Sequence, residues 1–270
     1  MRPTELATTP EISRARQTAL ELAAWAVAET RSYRPSGVTT KANPADLVTE
    51  LDTRIERQVR AVIGDRFPDH GFVGEEYGGE ASPGRPTWYL DPVDGTTNLA
   101  NGVPWTAFSL ALAVDRTPLI GVIADPWREQ IFDAAAGAGA RCNGELLPSL
   151  TASTLTGSVV STELAGHLPW PGMRGLEAAL AERFCTVRVM GSGTLTLLGI
   201  AAGRGAGAVI GRFGAEDHLA ATLIAQEAGA AVLNEAGQVS LFPASGGILV
   251  AAPAVAQELH ALWRSALPTE

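Results

Sequence analysis

A mixed fold, α+β over the first half of the chain and α/β over the second, is predicted by three features of the sequence. Two amphipathic helical periods open the chain, short alternating apolar runs joined by turn residues fill its middle, and strand-like and helix-like runs alternate beyond Pro148. With 270 residues and 46% apolar content, the chain has enough material for well-filled cores, which sets disorder aside.

The elements follow in order. Thr9-Pro10-Glu11 is an N-cap with proline in the first turn, and Ile12, Ala15, Ala19, Leu22, Ala23, Ala26 and Val27 then recur at helical spacing until Pro35 and Gly37 stop them. Val48, Leu51, Ile55, Val59 and Val62 predict a second helix from about Thr49 to Arg66, with Asp52 near its start. Two short apolar runs, Gly71 to Gly74 and Trp88 to Leu90, flank the Gly- and Pro-rich loop from Tyr77 to Pro86, and both end in carboxylates, Glu75 and Asp91. Phe108 to Val114, Leu119 to Ala124 and Gln130 to Ala135 read as an antiparallel meander turning at Asp115–Pro118 and Asp125-Pro126. The thinly structured Pro148–Thr156 stretch is the expected boundary between an N-terminal half, 1–147, and a C-terminal half, 148–270. Strands are expected in the second half at Val159-Val160, Val187–Met190, Ala208–Ile210, Ala231–Leu233 and Ile248–Ala251.

Composition excludes several classes. Twenty basic side chains against 29 acidic ones give a net charge of -9, the wrong sign for nucleic-acid binding, so an anionic substrate needs local positive charge that a divalent metal supplies most simply. Cys142 and Cys185 are too few for a disulfide framework and lack zinc-site spacing, which predicts free thiols in a reducing compartment. Met1–Arg16 lacks the apolar run of a secretory signal, and no uncharged apolar stretch approaches the roughly 20 residues of a membrane span. A cytoplasmic protein without a membrane partner is therefore expected.

The chemistry concentrates in Trp88-Tyr89-Leu90-Asp91-Pro92-Val93-Asp94-Gly95-Thr96-Thr97-Asn98, an apolar strand that ends in two aspartates and enters a Gly-Thr-Thr turn. The proline between Asp91 and Asp94 restrains the backbone so that both carboxylates can face one point, with the Val93 carbonyl between them, an oxygen set suited to Mg²⁺. Backbone N–H groups of Gly95 and Thr96 are candidate donors to a phosphate. Adjacent like charges at Glu75-Glu76 gain a purely structural strand end little, so one of them is expected to point inward. Asp46, Thr49 and Asp52 add acid and hydroxyl groups, and Asp217 lies at the start of a helix leading to Glu227-Ala228-Gly229; helix capping and the helix dipole also account for such residues.

In order, Asp46–Asp52, Gly74–Glu76, Asp91–Asn98, Gly193-Thr194 and Asp217–Gly229 resemble the motifs of the inositol monophosphatase family, part of the lithium-sensitive, metal-dependent sugar-phosphatase superfamily, and the resemblance covers nearly the whole chain. It implies a layered α-β-α-β-α fold, a homodimer, and two or three Mg²⁺ ions: Glu75, Asp91 and the Val93 carbonyl would hold one, and Asp91, Asp94 and Asp217 a second. Thr96, bonded toward Asp52, would orient the attacking water, with Glu75 also counted among the catalytic residues. Gly95, Thr96, Gly193, Thr194, Arg212 and Glu216 would contact the substrate, a small phosphate monoester with inositol monophosphate foremost. Two departures bear on that substrate. Glu216 stands where the family commonly has Trp, and Ile210 replaces a carboxylate that often contacts the inositol ring, so histidinol phosphate, fructose 1,6-bisphosphate and nucleotide 3′-phosphates remain alternatives.

Rival motifs fail on spacing. Two residues separate Asp91 from Asp94, whereas an aspartyl-nucleophile motif needs one, and Val93 and Gly95 occupy positions where a calcium loop needs oxygen side chains. Gly203–Ala208 loosely fits a dinucleotide fingerprint but follows a helix-like run, so tight packing is expected there. Ser192 lacks the spacing of a nucleophile elbow and reads as a turn, and His218 points about 100° away from Asp217 on a helix. A non-catalytic metal and phosphate sensor would need the ligands but not the Thr96 and Asp52 pair.

Overall fold

The computed structural model describes residues 9–34, 38–41, 43–45, 47–81 and 83–268. Within them the chain runs α1 (Pro10–Ser32), β1 (Val38–Thr40), β2 (Leu47–Thr49), α2 (Glu50–Arg66), β3 (Gly71–Gly74), β4 (Pro86–Asp94), α3 (Thr96–Ala100), β5 (Ala107–Val114), β6 (Thr117–Asp125), β7 (Gln130–Ala135), β8 (Ala140–Cys142) and β9 (Glu145–Leu146). It continues through β10 (Val159–Thr162), α4 (Met173–Ala181), β11 (Thr186–Val189), α5 (Gly193–Ala201), β12 (Gly207–Ile210), α6 (Ala215–Glu227), β13 (Ala231–Asn234), β14 (Ile248–Ala251) and α7 (Ala256–Ala266). Pro35, Gly37 and Asp46, singled out in the sequence, lie outside the described residues.

Strands β3 to β9 form a seven-stranded sheet in sequence order, antiparallel except for the parallel β3–β4 pair. A five-stranded sheet, ordered β11-β10-β12-β14-β13, mixes parallel and antiparallel pairs, and β1 and β2 make a separate hairpin. Helices α1 and α2 cover one face of the large sheet, where Ile12, Leu22, Ile55 and Val59 meet Trp88, Leu110, Leu112 and Val122. Helices α5 and α6 lie between the two sheets, packing on Ala111, Ile123 and Phe132 on one side and on Ala208, Ile248 and Val250 on the other. Helices α4 and α7 close the far face through Leu176, Leu180, Leu259 and Trp263. The layers are thus α-β-α-β-α.

Side-chain size decides which helices lie where. Strand β5 alternates Phe108, Leu110 and Leu112 toward α1 and α2 with Ala107, Ala111 and Ala113 toward the central layer, so α6 approaches the sheet closely on the small-residue face. Helix α6 is buried from His218 through Ala225, and α5 from Thr194 through Ala201, because sheets contact both sides of each. Gly121 in β6 marks a close approach: a Cβ there would stand 2.7 Å from the Ala220 carbonyl oxygen of α6. Gly121→Val should therefore push α6 off the sheet, costing about 1–3 kcal/mol in urea unfolding and disturbing Asp217, which α6 carries.

The Gly- and Ala-rich Gly203–Ala208 segment connects α5 to β12, and a Cβ on Gly205 or Gly207 would collide with the Val159 carbonyl or the Leu259 side chain, so close packing accounts for it. Hairpin β1–β2 and the short strands β8 and β9 extend the structure beyond the elements read from the sequence. No described helix is long and apolar enough to cross a membrane.

Candidate active site

The signature segment owes its geometry to a bulge. Asp91 pairs with Ser109 and Asp94 with Ala107, so three steps along β4 match two along β5. In a regular strand, residues three apart face opposite sides; the extra residue corrects the phase, and Pro92 is tolerated where the ladder is already interrupted. Asp91, two residues after Tyr89, emerges toward the central layer to which Tyr89 belongs, the layer that holds α6. Its Oδ1 accepts the Val93 N–H at 2.9 Å. Gly95 follows at φ +93, and a Cβ there would meet the Trp105 and Gly191 carbonyl oxygens at 2.9 Å, so glycine is required on both counts.

The other carboxylates arrive on separate elements. Glu75 follows β3, in a turn held by the buried Glu56 of α2, whose carboxylate accepts the Glu76 N–H at 2.8 Å and the Tyr77 N–H at 3.1 Å. A Cβ on Gly74 would overlap that carboxylate, which explains the glycine of the Gly-Glu-Glu segment. Asp217 sits in the first turn of α6. Asp52 caps α2 by accepting the Thr49 N–H at 3.0 Å on Oδ2, while its Oδ1 takes the Thr96 hydroxyl at 2.8 Å. That hydroxyl also lies 2.9 Å from the Val93 carbonyl oxygen.

Glu75, Asp91, Val93, Asp94, Gly95, Thr96, Gly193, Arg212 and Asp217 line a single cleft of about 1040 Å³. Thr194 does not face it. It is fully buried, donating its N–H to Asp94 Oδ2 at 2.7 Å and its hydroxyl to the Asp217 carbonyl at 2.6 Å, so it frames two carboxylates instead of touching substrate. Glu216 is not among the cleft residues either; its backbone carbonyl receives the Ser109 hydroxyl at 3.1 Å.

Ser192, a turn in the sequence reading, is the N-cap of α5: its Oγ accepts the Leu195 N–H at 3.1 Å and donates to Asp94 Oδ2. With Ser192 and Thr194 both on Oδ2, Asp94 keeps Oδ1 for the cleft, an arrangement in which outer hydrogen bonds would aim the carboxylate at a bound cation. His218 is buried and neutral, its pKa lowered to about 4 by burial, with Nδ1 accepting the Gly214 N–H at 2.9 Å. Its Nε2 would be 2.5 Å from a Cβ on Gly193, so that glycine makes room for the ring.

The carboxylates oppose one another electrostatically. Burial, then the charges of Glu75, Asp94 and Asp217, raises Asp91 well above the usual carboxylate range. Burial and Asp217 lift Asp94 to about 6, and burial, Glu75 and Glu216 lift Asp217 to about 7. Lys41 Nζ answers part of this charge, donating to Glu75 Oε1 at 2.9 Å and Glu76 Oε1 at 2.6 Å. With Glu75 turned to Lys41 and Asp94 Oδ2 to Ser192 and Thr194, no three acidic or imidazole groups among the described residues form a ready-made cage. The donor set nonetheless suits hard divalent cations: several desolvated oxygens, one carboxylate held by its outer oxygen, and repulsion that a cation would relieve.

This repulsion has a pH signature. Asp94 and Asp217 bind protons more tightly folded than at their ordinary value of 3.8, so their stabilising contribution is complete below that value and is lost as pH rises through about 6 to about 7. His218 has the opposite sign, favouring the fold above its ordinary 6.5 and losing that contribution as pH falls through about 4. The carboxylates govern the interval above 6.5, so thermal unfolding of the metal-free protein should show a melting temperature falling as pH rises from there to about 8.

The family model described as "Inositol monophosphatase family" matches residues 9–267. Rat inositol monophosphatase 2 is 35% identical over 212 residues, covering 74% of this chain and 72% of its own. Among solved structures, the IMPase of Thermotoga maritima superposes with a TM-score of 0.83 at 26% identity, covering 92% of this chain and 95% of its own. Mycobacterium tuberculosis SuhB gives 0.74 at 30% identity, with coverages of 94% and 97%. The chain therefore belongs to the inositol monophosphatase family, whose members are phosphatases that hydrolyse phosphate monoesters.

Proposed function

We propose that the chain is a Mg²⁺-dependent phosphomonoesterase acting on a small phosphate monoester, with inositol monophosphate as the first substrate to test. The observation that carries this reading is the meeting of Glu75, Asp91, Asp94 and Asp217, brought from three separate segments, in one cleft beside the Gly95-Thr96 turn. Glu75, Asp91, the Val93 carbonyl, Asp94 and Asp217 would hold the two or three ions. Bound there, Mg²⁺ supplies Lewis acidity toward phosphoryl oxygens and lowers the pKa of water.

The chain's own groups do the rest. Thr96 Oγ1, donating its proton to Asp52 Oδ1, offers a lone pair to orient the attacking water. Asp52 is fixed for this by its cap on α2, and its pKa is raised by burial, so it is suited to sharing a proton with Thr96. Glu75, also catalytic in this reading, is the more exposed carboxylate at the cleft edge. The backbone N–H groups of Gly95 and Thr96 orient the phosphate, and the exposed Arg212 meets the group that carries it. In the same reading residues 1–147 supply most of the ligands and residues 148–270 supply Asp217. A homodimer rests on family resemblance, and a cytoplasmic setting is supported by the free thiols Cys142 and Cys185.

Phosphate release from inositol 1-phosphate, histidinol phosphate, fructose 1,6-bisphosphate and a nucleotide 3′-phosphate, with and without Mg²⁺, tests the proposal. Release that needs Mg²⁺ and ranks the substrates supports it. Binding without release would instead favour a sensor, and release indifferent to Mg²⁺ would remove the metal reading.

A further inference from the structure

Glu163 is a buried carboxylate, 8% exposed, that the chemistry above does not use. It follows β10 directly and opens the loop whose next residues, Leu164 to His167, form one wall of the cleft. Its Oε1 accepts the Met190 N–H at 3.1 Å and the Thr196 hydroxyl at 2.6 Å, and its Oε2 accepts the Gly191 N–H at 2.7 Å. Three of its roughly four acceptor sites are therefore filled by protein donors, which suits a fastener better than an acid or base in the reaction.

The carbonyl groups of the same two residues are held by a second side chain. Asn98 Nδ2, at the end of the signature segment, donates to the Met190 carbonyl at 2.8 Å and lies 3.3 Å from the Gly191 carbonyl. Gly191 has φ +84, and a Cβ there would stand 2.8 Å from Asn98 Nδ2, so the turn lies against Asn98 with no room for a side chain. The next residue is Ser192, whose hydroxyl and helix cap place two donors on Asp94 Oδ2. A shift of the 190–191 turn moves those donors, and Asp94 with them.

We infer that Glu163 is a positioning residue: with Asn98 it clamps the 190–191 turn, and through Ser192 and Thr194 it sets the orientation of Asp94 toward the cation, coupling the substrate wall of the cleft to the metal centre. This rests on the proposed Mg²⁺ site. Loss of the carboxylate leaves two backbone N–H groups and a hydroxyl without their acceptor, and the turn relaxes. Glutamine keeps one acceptor oxygen but presents an NH₂ group to at least one of the remaining donors, so it preserves part of the clamp.

Calorimetric titration of Mg²⁺ into the parent, Glu163→Gln, Glu163→Ala and Asn98→Ala proteins, each with its metal-free melting curve, tests the assignment. The alanine variant at 163 should bind Mg²⁺ about 10–100-fold more weakly, the range for lost outer-shell partners. Glu163→Gln should show a smaller loss and Asn98→Ala a loss as well. A purely structural role would lower melting temperatures and leave affinity unchanged, and a folded Glu163→Ala protein that titrates like the parent overturns the clamp. Should that variant not fold, unchanged affinity in Glu163→Gln overturns it equally. A parent that takes up no Mg²⁺ removes the metal reading itself, and this inference with it.

Discussion

Asp91→Asn is expected to abolish turnover while making the metal-free protein more stable. Asp91 is 3% exposed, and its ionised form is opposed by burial and by three other carboxylates. Asparagine preserves the shape, and its oxygen can still accept the Val93 N–H, but the charge that repels Glu75, Asp94 and Asp217 is gone. Losing a carboxylate whose ionised form is opposed by burial and by its neighbours should raise stability at neutral pH by about 1–3 kcal/mol. The cation-binding charge disappears with it, so kcat/KM for the best substrate of the panel should fall by about 10³-fold or more. Thermal unfolding without metal and phosphate release with Mg²⁺ measure the two effects on one variant. A stable variant that keeps its activity would show that the carboxylates meet for some reason other than metal binding; opposed signs are the mark of a site whose strain serves function.

Thr96→Val should spare the fold and damage the chemical step. The hydroxyl lies 2.8 Å from Asp52 Oδ1 and 2.9 Å from the Val93 carbonyl, and valine fills the same volume without either bond. Loss of a positioned proton-handling group predicts a fall in kcat of about 10²–10⁴-fold. Mg²⁺ affinity should change far less, because Asp91, Asp94 and Asp217 keep their places. Thr96→Ser, which restores the hydroxyl, should recover most of the rate. Asp52→Asn gives the companion result with an added cost, since Asp52 also caps α2; a weakened cap should cost about 0.5–2 kcal/mol in urea unfolding. Equal kcat in Thr96→Val and the parent would assign the Thr96 and Asp52 pair to capping alone.

Each of these variants touches a residue named in the sequence, yet their surroundings were unevenly legible there. The long elements were readable because burial on one face imposes a period: the spacing of Ile12 through Ala26 anticipates α1, and Phe108 through Val114 lies within β5. Hairpin β1–β2 and strands β8 and β9 were not anticipated, because two or three residues are too few to show a period. The signature aspartates were visible as a motif, but the bulge that turns both to one side shows only in the pairing with β5. The motif alone puts Thr194 with the substrate contacts; its burial against Asp94 and Asp217 depends on how α5 packs beside α6.

The supporting residues were the least legible. Ser192 lies 98 positions from Asp94, Glu56 lies 20 from Glu76, and Glu163 lies 28 from Gly191, and no local pattern joins such partners. By itself the sequence determined the periods, the caps, the turn residues and the inventory of oxygen donors, since each of these depends on neighbours within a turn or a strand of the chain. Only the tertiary structure decided which carboxylates share a cleft, which of their oxygens are held and which remain free, because hydrogen bonds and repulsion act across space and depend on how the layers bring distant segments together.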